Sequence, residues 1–400
     1  MFARREKCDE TFQTAFDTEK IALKTKLERQ NGSMAASQDG NSEQRHGRGR
    51  ITLAEIRQQP ELWATTIERV AASKAREIVQ GRAAVICGAG TSAYASSAVA
   101  ASWMNATAIP TTDLLLYSKD DLFRLVPAFV SNGVLVSIAR SGNSPESVGV
   151  IKRIKQMFPG VVHLAITCNE EGEMVRLPGV NALVLDPRTN DRSLVMTSSF
   201  SNLLLAGMLV AQPDVLKKNM PAIAAAVNGA FAEFDALGRK LAAHAPSRFM
   251  VLTSAGLEPV AREARLKVLE MTAGRIVAES ETFLGVRHGP LSFLRPDSYV
   301  VAMLSSDPER RRFEEDLLHE LQHKKLGHVI VVGATKPDAA LGQDFVPAMA
   351  PNLPDELRGP FEIVFPQLLA YHLSLASDLD PDSPSPDGVI TRVVQPFSLH

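Results

Sequence analysis

Two short segments rich in glycine and serine carry the clearest chemical signal in this sequence. The first reads GAGTS at residues 88–92, and the second reads ARSGNSP at residues 139–145. Each follows an apolar run and precedes a segment with helical patterning, so free N–H groups and the positive end of a helix dipole would lie at each turn. Because glycine admits a close backbone approach and hydroxyls donate hydrogen bonds, the pattern favours a phosphate monoester. The candidate binding residues are Gly90, Thr91, Ser92, Arg140, Ser141, Asn143 and Ser144.

A dinucleotide is the main alternative ligand for the first turn. Gly88, Gly90 and Ala93 fit the spacing G-x-G-x-x-G/A, and Asp113 follows about 20 residues later, as in dinucleotide-binding domains. That interpretation leaves the second turn without a role, and the first turn has no P-loop lysine for a nucleoside triphosphate. We therefore favour a sugar phosphate, with a dinucleotide or purely structural turns as the alternatives.

The overall composition excludes several other classes of function. Over 400 residues, 43 Lys and Arg stand against 45 Asp and Glu, so the formal charge of −2 provides no basic field for nucleic acid or an anionic membrane. No apolar run approaches the roughly 20 residues of a membrane span, and the N-terminus lacks an apolar signal core. Three cysteines without a CxxC pair argue against a disulfide scaffold or a structural zinc site. We expect a cytoplasmic enzyme that uses no metal or organic cofactor, nucleic-acid partner or membrane.

The elements that must position these turns alternate between strands and helices. Continuous apolar strands that alternate with helices indicate a parallel sheet covered on both faces. Before the first strand, Thr52 is predicted to cap a helix because Glu55 lies three residues later. Strands are predicted at 83–90, 133–143, 163–170 and 182–186.

The second half of the chain repeats this pattern. A shift of 166 residues superimposes VICGAGTSAYASSA, from Val85, on VLTSAGLEPVAREA, from Val251, and VLVSIARSG on VVAMLSSDP. A shift of 165 superimposes HLAITCNE on HVIVVGAT. Because three strand–turn segments align in order, we predict two doubly wound α/β domains joined by a helical stretch at 199–245. The predicted organisation is a flexible tail at 1–50, a phosphate-binding domain at 51–215, a second domain at 216–380 and a C-terminal extension over the active site at 381–400.

The tail assignment rests on composition. Residues 31–50 are rich in Gly, Ser, Asn and Gln, and residues 1–30 mix charges without a firm apolar face. A helix at 10–30 is the alternative, and Met34 could begin a shorter chain.

The turns of the second copy carry acidic residues, Glu258 and Asp307, which would repel phosphate. The second copy would then have exchanged anion binding for another role. Its first helix reads AREARLKVLEMTAG and places Glu263, Lys267 and Glu270 on one face. This face is either catalytic or a solvated row of ion pairs.

Together with the turn RHGP at 287–290, these motifs resemble the sugar isomerase (SIS) domain superfamily, from about Ile51 to the C-terminus. More narrowly, EIRQQPELW, PTTDLL, RSGNSPESV, ITCNE, DRSLVMTSSF, AREARLKVLEMTAG and PDSPSPDGVITRVVQ resemble the AgaS branch. Members of that branch are described as galactosamine-6-phosphate deaminase/isomerases or tagatose-6-phosphate ketose/aldose isomerases. The resemblance implies two tandem SIS domains, each a flavodoxin-like three-layer α/β sandwich, assembled as a homodimer or a larger oligomer.

Similarity to the sugar-isomerase half of glucosamine-6-phosphate synthase implies roles for individual residues. It assigns proton transfer between C1 and C2 to Glu270, with Lys267 as a second catalytic residue. It implies that His288 helps to open the sugar ring and comes from the neighbouring subunit. The further candidate binding residues are Thr197, Ser198 and Arg287.

Two departures from the synthase limit what carries over. Where the synthase has a C-terminal lysine that forms a Schiff base, the aligned region reads VITRVVQ, with Thr391 and Arg392. Position 2 is Phe rather than the catalytic Cys of a glutaminase domain. We therefore expect neither a lysine imine nor glutamine-dependent amination.

The expected reaction converts galactosamine 6-phosphate to tagatose 6-phosphate and ammonia. Glu270 would move the C2 proton to C1, and water would hydrolyse the resulting C2 imine; Glu263 is the alternative base. A plain aldose–ketose isomerase and, from a different class, a regulator that senses sugar phosphates are the alternative functions.

Overall fold

The computed structural model describes residues 47–336, 338, 341–395 and 397. Most of the tail predicted at 1–50 lies outside these residues, as do the alternative helix at 10–30 and Met34. From Gly49 onward the chain forms one compact unit.

The first domain is built around a parallel sheet. In the described part of the chain, the helices before this sheet are α1 Arg50–Arg57, α2 Gln59–Ala72 and α3 Ala75–Val79. The strands are β1 Ala83–Cys87, β2 Ala106–Ala108, β3 Gly133–Ala139, β4 Val162–Thr167 and β5 Val180–Val184. The helices between them are α4 Thr91–Ala101, α5 Thr111–Leu116, α6 Lys119–Leu125, α7 Pro127–Asn132, α8 Pro145–Met157 and α9 Glu173–Arg176. The strand order is β2-β1-β3-β4-β5, with every pair parallel.

Two helices connect the domains, and a second parallel sheet follows them. The connecting helices are α10 Ser198–Ala211 and α11 Pro213–Ala242. The strands are β6 Arg248–Thr253, β7 Val277–Thr282, β8 Tyr299–Met303, β9 His328–Gly333 and β10 Asp344–Pro347. The remaining helices are α12 Glu258–Met271, α13 Pro308–His323, α14 Asp355–Glu362 and α15 Val364–Ala376. The order is β10-β9-β8-β6-β7, again with every pair parallel.

The two sheets have the same topology. Counted within each domain, both sheets have the strand order 2-1-3-4-5, which is flavodoxin-like. In this order the direction in which successive strands are added to the sheet reverses between the first and third strands. The prediction of two doubly wound domains is confirmed, and so is the helical connection. The domain boundary predicted between 215 and 216 falls inside α11, which continues without a break through that point.

The core explains why the strands are apolar on both faces. A central cluster takes one face of each sheet, with Ile86 from the first and Val251 from the second, and includes apolar residues of α10 and α15. The opposite faces contribute to separate outer clusters, with Val85 in the first domain and Val300 in the second. Helices on both faces keep these strands from water, so alternation of polar and apolar residues is lost.

The predicted cap at Thr52 is wrong. Helix α1 begins at Arg50, two residues earlier, and Thr52 lies buried inside it. Its hydroxyl donates to the Pro381 carbonyl at 3.0 Å and to the Asp382 carboxylate at 2.8 Å. Thr52 therefore holds the C-terminal segment instead of starting a helix.

No helix in the described ranges combines the length and the apolar character needed to cross a membrane.

Candidate active site

Two adjoining cavities lie beside the carboxyl ends of β1 and β3, where the strand order of the first sheet reverses. The larger has a volume of about 470 Å³ and the smaller a volume of about 160 Å³. Open α/β sheets bind ligands at such a reversal because the turns there diverge and leave a crevice. The residues that line both cavities are Gly90, Arg140, Met196, Arg392 and Val394.

The smaller cavity is lined by four serines, Ser92, Ser141, Ser144 and Ser147, which we call the serine cradle. Ser144 caps α8, since its hydroxyl accepts a hydrogen bond from the Ser147 amide at 3.2 Å. The two hydroxyl oxygens are 2.8 Å apart. At Gly90, with φ +57°, no atom lies within 4 Å of the position that a Cβ would take. The cradle thus presents hydroxyls and the N-terminal ends of α4 and α8 to open space, an arrangement suited to an anion.

Sequence reasoning missed two polar residues at the start of α8 and included Asn143, which lines neither cavity. Ser147 and Glu146, in the first turn of α8, both line the cavity. The sequence signal that could have identified Ser147 is its position three residues, or about one helical turn, after Ser144. Asn143 is exposed, and its side-chain oxygen accepts from the Glu173 amide at 2.9 Å, so it fixes the turn from outside.

The larger cavity lies between the first turn, helix α12 and the C-terminal segment. Thr91 and Glu270 line one side of it, and residues 388–392 line the other. The Glu270 side chain is 23% exposed, so its carboxylate is accessible yet partly shielded from water. Thr391 lines the cavity where the synthase alignment has a lysine, and no described lysine lines either cavity.

A buried cluster of charges stands behind Glu270. The Lys267 ammonium lies 2.6 Å from the Glu270 carboxylate and 3.2 Å from the Glu263 carboxylate. Thr91 of the first domain joins them, since its hydroxyl accepts from Lys267 at 3.2 Å and donates to Glu263 at 3.2 Å. Lys267 and Glu263 are fully buried, so the alternative of a solvated row of ion pairs is wrong.

Burial sets the protonation of this cluster. Desolvation raises the pKa of Glu263 to about 7, outweighing the opposing pull of the Lys267 charge. Burial alone would lower the pKa of Lys267, but the carboxylates of Glu263 and Glu270 raise it above its ordinary value. Lys267 therefore stays a cation.

Two arginines fasten the segments that cover the cavities. Arg140, at the end of β3, donates to the carbonyls of Ser193 and Leu194 at 3.4 and 3.2 Å and to the carbonyl of Arg392. Arg392 in turn donates to the Asp191 carbonyl at 2.8 Å. The sequence signalled Arg140 as a binding residue, and its observed hydrogen bonds hold main chain in place beside the cavities.

Thr197 and Ser198 lie just behind the cavity wall. Their loop is organised by the buried carboxylate of Asp191, which accepts from the Thr197 amide at 2.7 Å and from the Ser198 hydroxyl. Glu55 holds the preceding residues and accepts from the Arg192 amide at 2.6 Å. Burial and the Asp191 charge raise the pKa of Glu55 to about 7. The residues of this loop that line the cavities are Leu194 and Met196.

Arg287 and His288 lie apart from both cavities of this chain. They end the short 3₁₀ turn Gly285–His288 of the second domain. Arg287 donates to the Glu320 carboxylate at 2.8 Å, and the His288 side chain is exposed. Within the chain, the structure thus brings the two turns and the Lys267–Glu270 pair together but leaves the RHGP turn outside.

Comparisons with known proteins agree with this architecture, although no family model matches the chain. The AgaS protein of Streptomyces coelicolor is 36% identical over 372 residues, which cover 87% of this chain and 95% of the relative. The chain belongs to the AgaS family. Another AgaS protein, the D-galactosamine-6-phosphate deaminase AgaS of Escherichia coli, is 32% identical over 377 residues, covering 88% of this chain and 96% of the relative.

A solved structure extends the AgaS likeness to three dimensions. The tagatose-6-phosphate ketose/aldose isomerase of Escherichia coli is 30% identical, with a TM-score of 0.75, over 86% of this chain and 96% of that one. The two five-stranded sheets and the connecting helices are therefore those of an AgaS-type pair of SIS domains.

Proposed function

We propose that this AgaS-family protein converts galactosamine 6-phosphate to tagatose 6-phosphate and ammonia. The observation that carries the proposal is the junction of two cavities across Gly90 and Arg140, one lined by hydroxyls and the other by Glu270. A sugar phosphate has the matching division, with an anion at C6 and reacting carbons at C1 and C2. The Escherichia coli relative named as a D-galactosamine-6-phosphate deaminase supports the amino sugar as substrate.

The serine cradle would bind the phosphate. The hydroxyls of Ser92, Ser141 and Ser144 and the N-terminal ends of α4 and α8 supply donors away from the reacting carbons. Binding energy gained at the phosphate then positions C1 and C2 beside the carboxylate, which lowers the entropic cost of proton transfer.

Glu270 would act as the general base. It removes the proton from C2 of the open-chain aldose and returns it to C1, which leaves an imine at C2. Water adds to that carbon and ammonia leaves, so each turnover consumes one water and releases one ammonia and one ketose. Lys267, 2.6 Å from the Glu270 carboxylate, orients it and balances the negative charge that develops on the substrate during transfer.

A second copy of the chain would complete the site. His288 is exposed and ends a turn of the second domain, so it is available to a neighbouring subunit for ring opening. We therefore propose a homodimer or larger assembly that acts in the cytoplasm, with Arg287 helping to place the turn through Glu320. Mixing equal amounts of the Glu270→Gln and His288→Ala variants tests this assembly. Each heterodimer would have one intact site of two, so the mixture should recover about a quarter of the wild-type activity. No recovery once the subunits have exchanged would mean that His288 of a neighbouring subunit does not complete the site.

An aldose–ketose isomerase without deamination is the second candidate. The solved Escherichia coli structure with 30% identity is named as a tagatose-6-phosphate ketose/aldose isomerase, which favours a substrate with a hydroxyl at C2. The proposed proton transfer is the same in both reactions, and only the atom at C2 differs.

One assay separates these candidates. Ammonia and ketose are measured independently with galactosamine 6-phosphate, glucosamine 6-phosphate, N-acetylgalactosamine 6-phosphate and tagatose 6-phosphate as substrates. Equal amounts of ammonia and tagatose 6-phosphate from galactosamine 6-phosphate support the deaminase. Aldose formation from tagatose 6-phosphate without ammonia release from any amino sugar would support the isomerase instead.

A further inference from the structure

An acidic residue lies among the hydroxyls of the serine cradle. Glu146, the second residue of α8, lines the smaller cavity and is 7% exposed. One oxygen of its carboxylate, Oε2, is buried and accepts no hydrogen bond from the described residues. An unpaired buried carboxylate oxygen is costly, so this position calls for a donor that arrives with the ligand.

No neighbouring donor of the described residues bonds this oxygen. The hydroxyls of Ser144 and Ser147 are hydrogen-bonded to each other at 2.8 Å. The charged groups beside Glu146 in the cavity are the guanidiniums of Arg140 and Arg392, whose hydrogen bonds go to main-chain carbonyls and to the side chain of Asn190. The helices packed against α8 are α5 and α9, and their charged residues, Asp113, Glu173 and Arg176, do not line the cavity.

A phosphate in this cradle would bring its own oxygens against the Glu146 carboxylate. Two oxygens that both carry negative charge repel each other, whereas a single proton between them makes a strong, charge-assisted hydrogen bond. A phosphate monoester can carry that proton, because its second pKa is about 6. A sulfate monoester of the same shape has no proton near neutral pH.

We propose that Glu146 is a specificity-determining residue that accepts a hydrogen bond from the substrate phosphate, so that the cradle binds the phosphate with one shared proton and rejects sulfate esters. This rests on the proposed function, in which the serine cradle holds the phosphate. It gives a buried carboxylate inside an anion site a role that the hydroxyls cannot fill.

Binding of a phosphate that keeps one proton changes the number of protons bound. Above pH 7 the free monoester is mostly a dianion, so binding must take up about one proton from solution. Affinity for the phosphate therefore weakens about tenfold for each unit of pH between about 7 and 8. Electrostatic attraction of a dianion to the two arginines alone would involve no such uptake.

The test uses two unreactive ligands, 2-amino-2-deoxygalactitol 6-phosphate and the corresponding 6-sulfate, which lack the C1 carbonyl. Calorimetric titrations of the full chain near pH 8, in two buffers with different enthalpies of ionisation, give both the affinity and the number of protons taken up. The wild type should take up about one proton with the phosphate and bind the sulfate on the order of a hundredfold more weakly.

Glu146→Gln removes the acceptor charge and keeps the shape. It should reduce the proton uptake to near zero and bring the affinities for phosphate and sulfate within about tenfold of each other, because the amide can donate to an oxygen of either anion. Glu171→Gln is the matched control, since it removes an exposed carboxylate next to Gly172, which packs against the Ser141 turn, and should behave like the wild type.

Either of two results overturns the role of Glu146. One is phosphate binding by the wild type without proton uptake, a measurement that does not depend on any variant folding. The other is a folded Glu146→Gln that keeps the wild-type uptake and selectivity. Failure of the wild type to bind the 6-phosphate at any pH from about 6 to 8 would contradict the proposed function instead.

Discussion

The first turn after the leading strand is open in one domain and filled in the other. Gly90 and Gly256 occupy equivalent positions under the shift of 166 residues. Nothing lies within 4 Å of a Cβ built on Gly90, whereas a Cβ on Gly256 would lie 2.7 Å from the backbone nitrogen of Glu356. The N-terminal end of α14 is therefore seated on the second domain's turn, in the place that the first domain leaves free.

The second turn repeats this contrast. In the second domain the Asp355 carboxylate accepts from the hydroxyl of Ser305 and from the amide of Ser306 at 2.8 Å. The Glu314 carboxylate accepts from the Ser305 amide at 2.8 Å. The serine turn thus still binds an anion, but the anion is a carboxylate of the same chain.

The acidic residues within the second domain's turns have partners of their own. Glu258 pairs with Arg262 on the surface of α12, and Asp307 caps α13 by accepting from the Glu309 amide at 2.8 Å. The segment after the fifth strand decides the outcome instead. In the first domain it is a loop that leaves a cavity, and in the second it is α14, which fills the equivalent space. A duplicated anion site can thus be kept as an internal contact, in which a carboxylate of the same chain takes the place of a ligand.

The largest expected effect tests whether the second domain supplies the proton transfer. Glu270→Gln should lower kcat by about 10²–10⁴ and change KM little, because glutamine keeps the volume but accepts no proton at neutral pH. Steady-state kinetics measure this, with Glu258→Gln, an exposed carboxylate on the same helix, as the control. Near-normal turnover would exclude Glu270 as the base and direct attention to Glu263.

The next effect tests whether α14 is held by its carboxylate. Asp355→Asn should destabilise the protein by about 3–5 kcal/mol, because it breaks the buried ion pair with Arg358 and leaves this arginine, which is 1% exposed, with Glu362 at 3.2 Å as its remaining charged partner among the described residues. Chemical unfolding at pH 7 measures this, with the adjacent Glu356→Gln expected to change stability little. A cost below about 1 kcal/mol would mean that the internal carboxylate does not stabilise the second domain.

The destabilisation caused by Asp355→Asn should disappear at acidic pH. Burial alone would raise the pKa of Asp355, but hydrogen bonds from Ser305 and Ser306 lower it below its ordinary value. The stabilisation is therefore complete above the ordinary carboxyl pKa and is lost as the pH falls through the lowered one. The difference in unfolding free energy between wild type and Asp355→Asn should be constant above pH 5 and narrow below about pH 4.

A smaller expected effect, on the affinity for a sugar 6-phosphate, distinguishes the turn that would bind a ligand from the turn that binds the Asp355 carboxylate. Ser141→Ala should weaken binding of a sugar 6-phosphate ten- to a hundredfold, which is about 1.5–3 kcal/mol for a lost hydrogen bond to a charged oxygen. Ser306→Ala, whose hydroxyl bonds Asp355 at 2.9 Å, should leave that affinity unchanged. Equilibrium titration decides, and equal losses from both changes would contradict the contrast between the turns.

The smallest effect concerns the glycine beneath α14. Gly256→Ala should cost about 1–3 kcal/mol, since the added methyl meets backbone atoms that cannot rotate away. Gly229→Ala in α11, where nothing lies within 4 Å, should be neutral or stabilise by up to about 1 kcal/mol. Thermal unfolding of both variants compares them, and a tolerated Gly256→Ala would show that α14 packs loosely.

The sequence was most informative where the signal is local. The two turns and the helix AREARLKVLEMTAG could be recognised because each lies within one short segment, and the duplication because its short segments align in the same order. Contacts between distant segments carry no periodic signal. Thr52 meets Asp382 across 330 residues, and Arg392 meets Asp191 across 201. The sequence predicted a C-terminal extension over the active site, but for that reason neither the hydrogen bonds that hold this extension nor the filling of the second turn by α14 could be predicted.

The hydroxyl of Thr91, in the first domain, joins two residues of the second: it receives a hydrogen bond from Lys267 and gives one to Glu263. If the chain were cut between its two domains and the domains were separated, the Lys267 ammonium and the carboxylates of Glu263 and Glu270 would lose the cover that the first domain provides. Each domain alone would expose charged and apolar groups that are buried in the intact protein. The two domains therefore depend on each other to keep these charges buried.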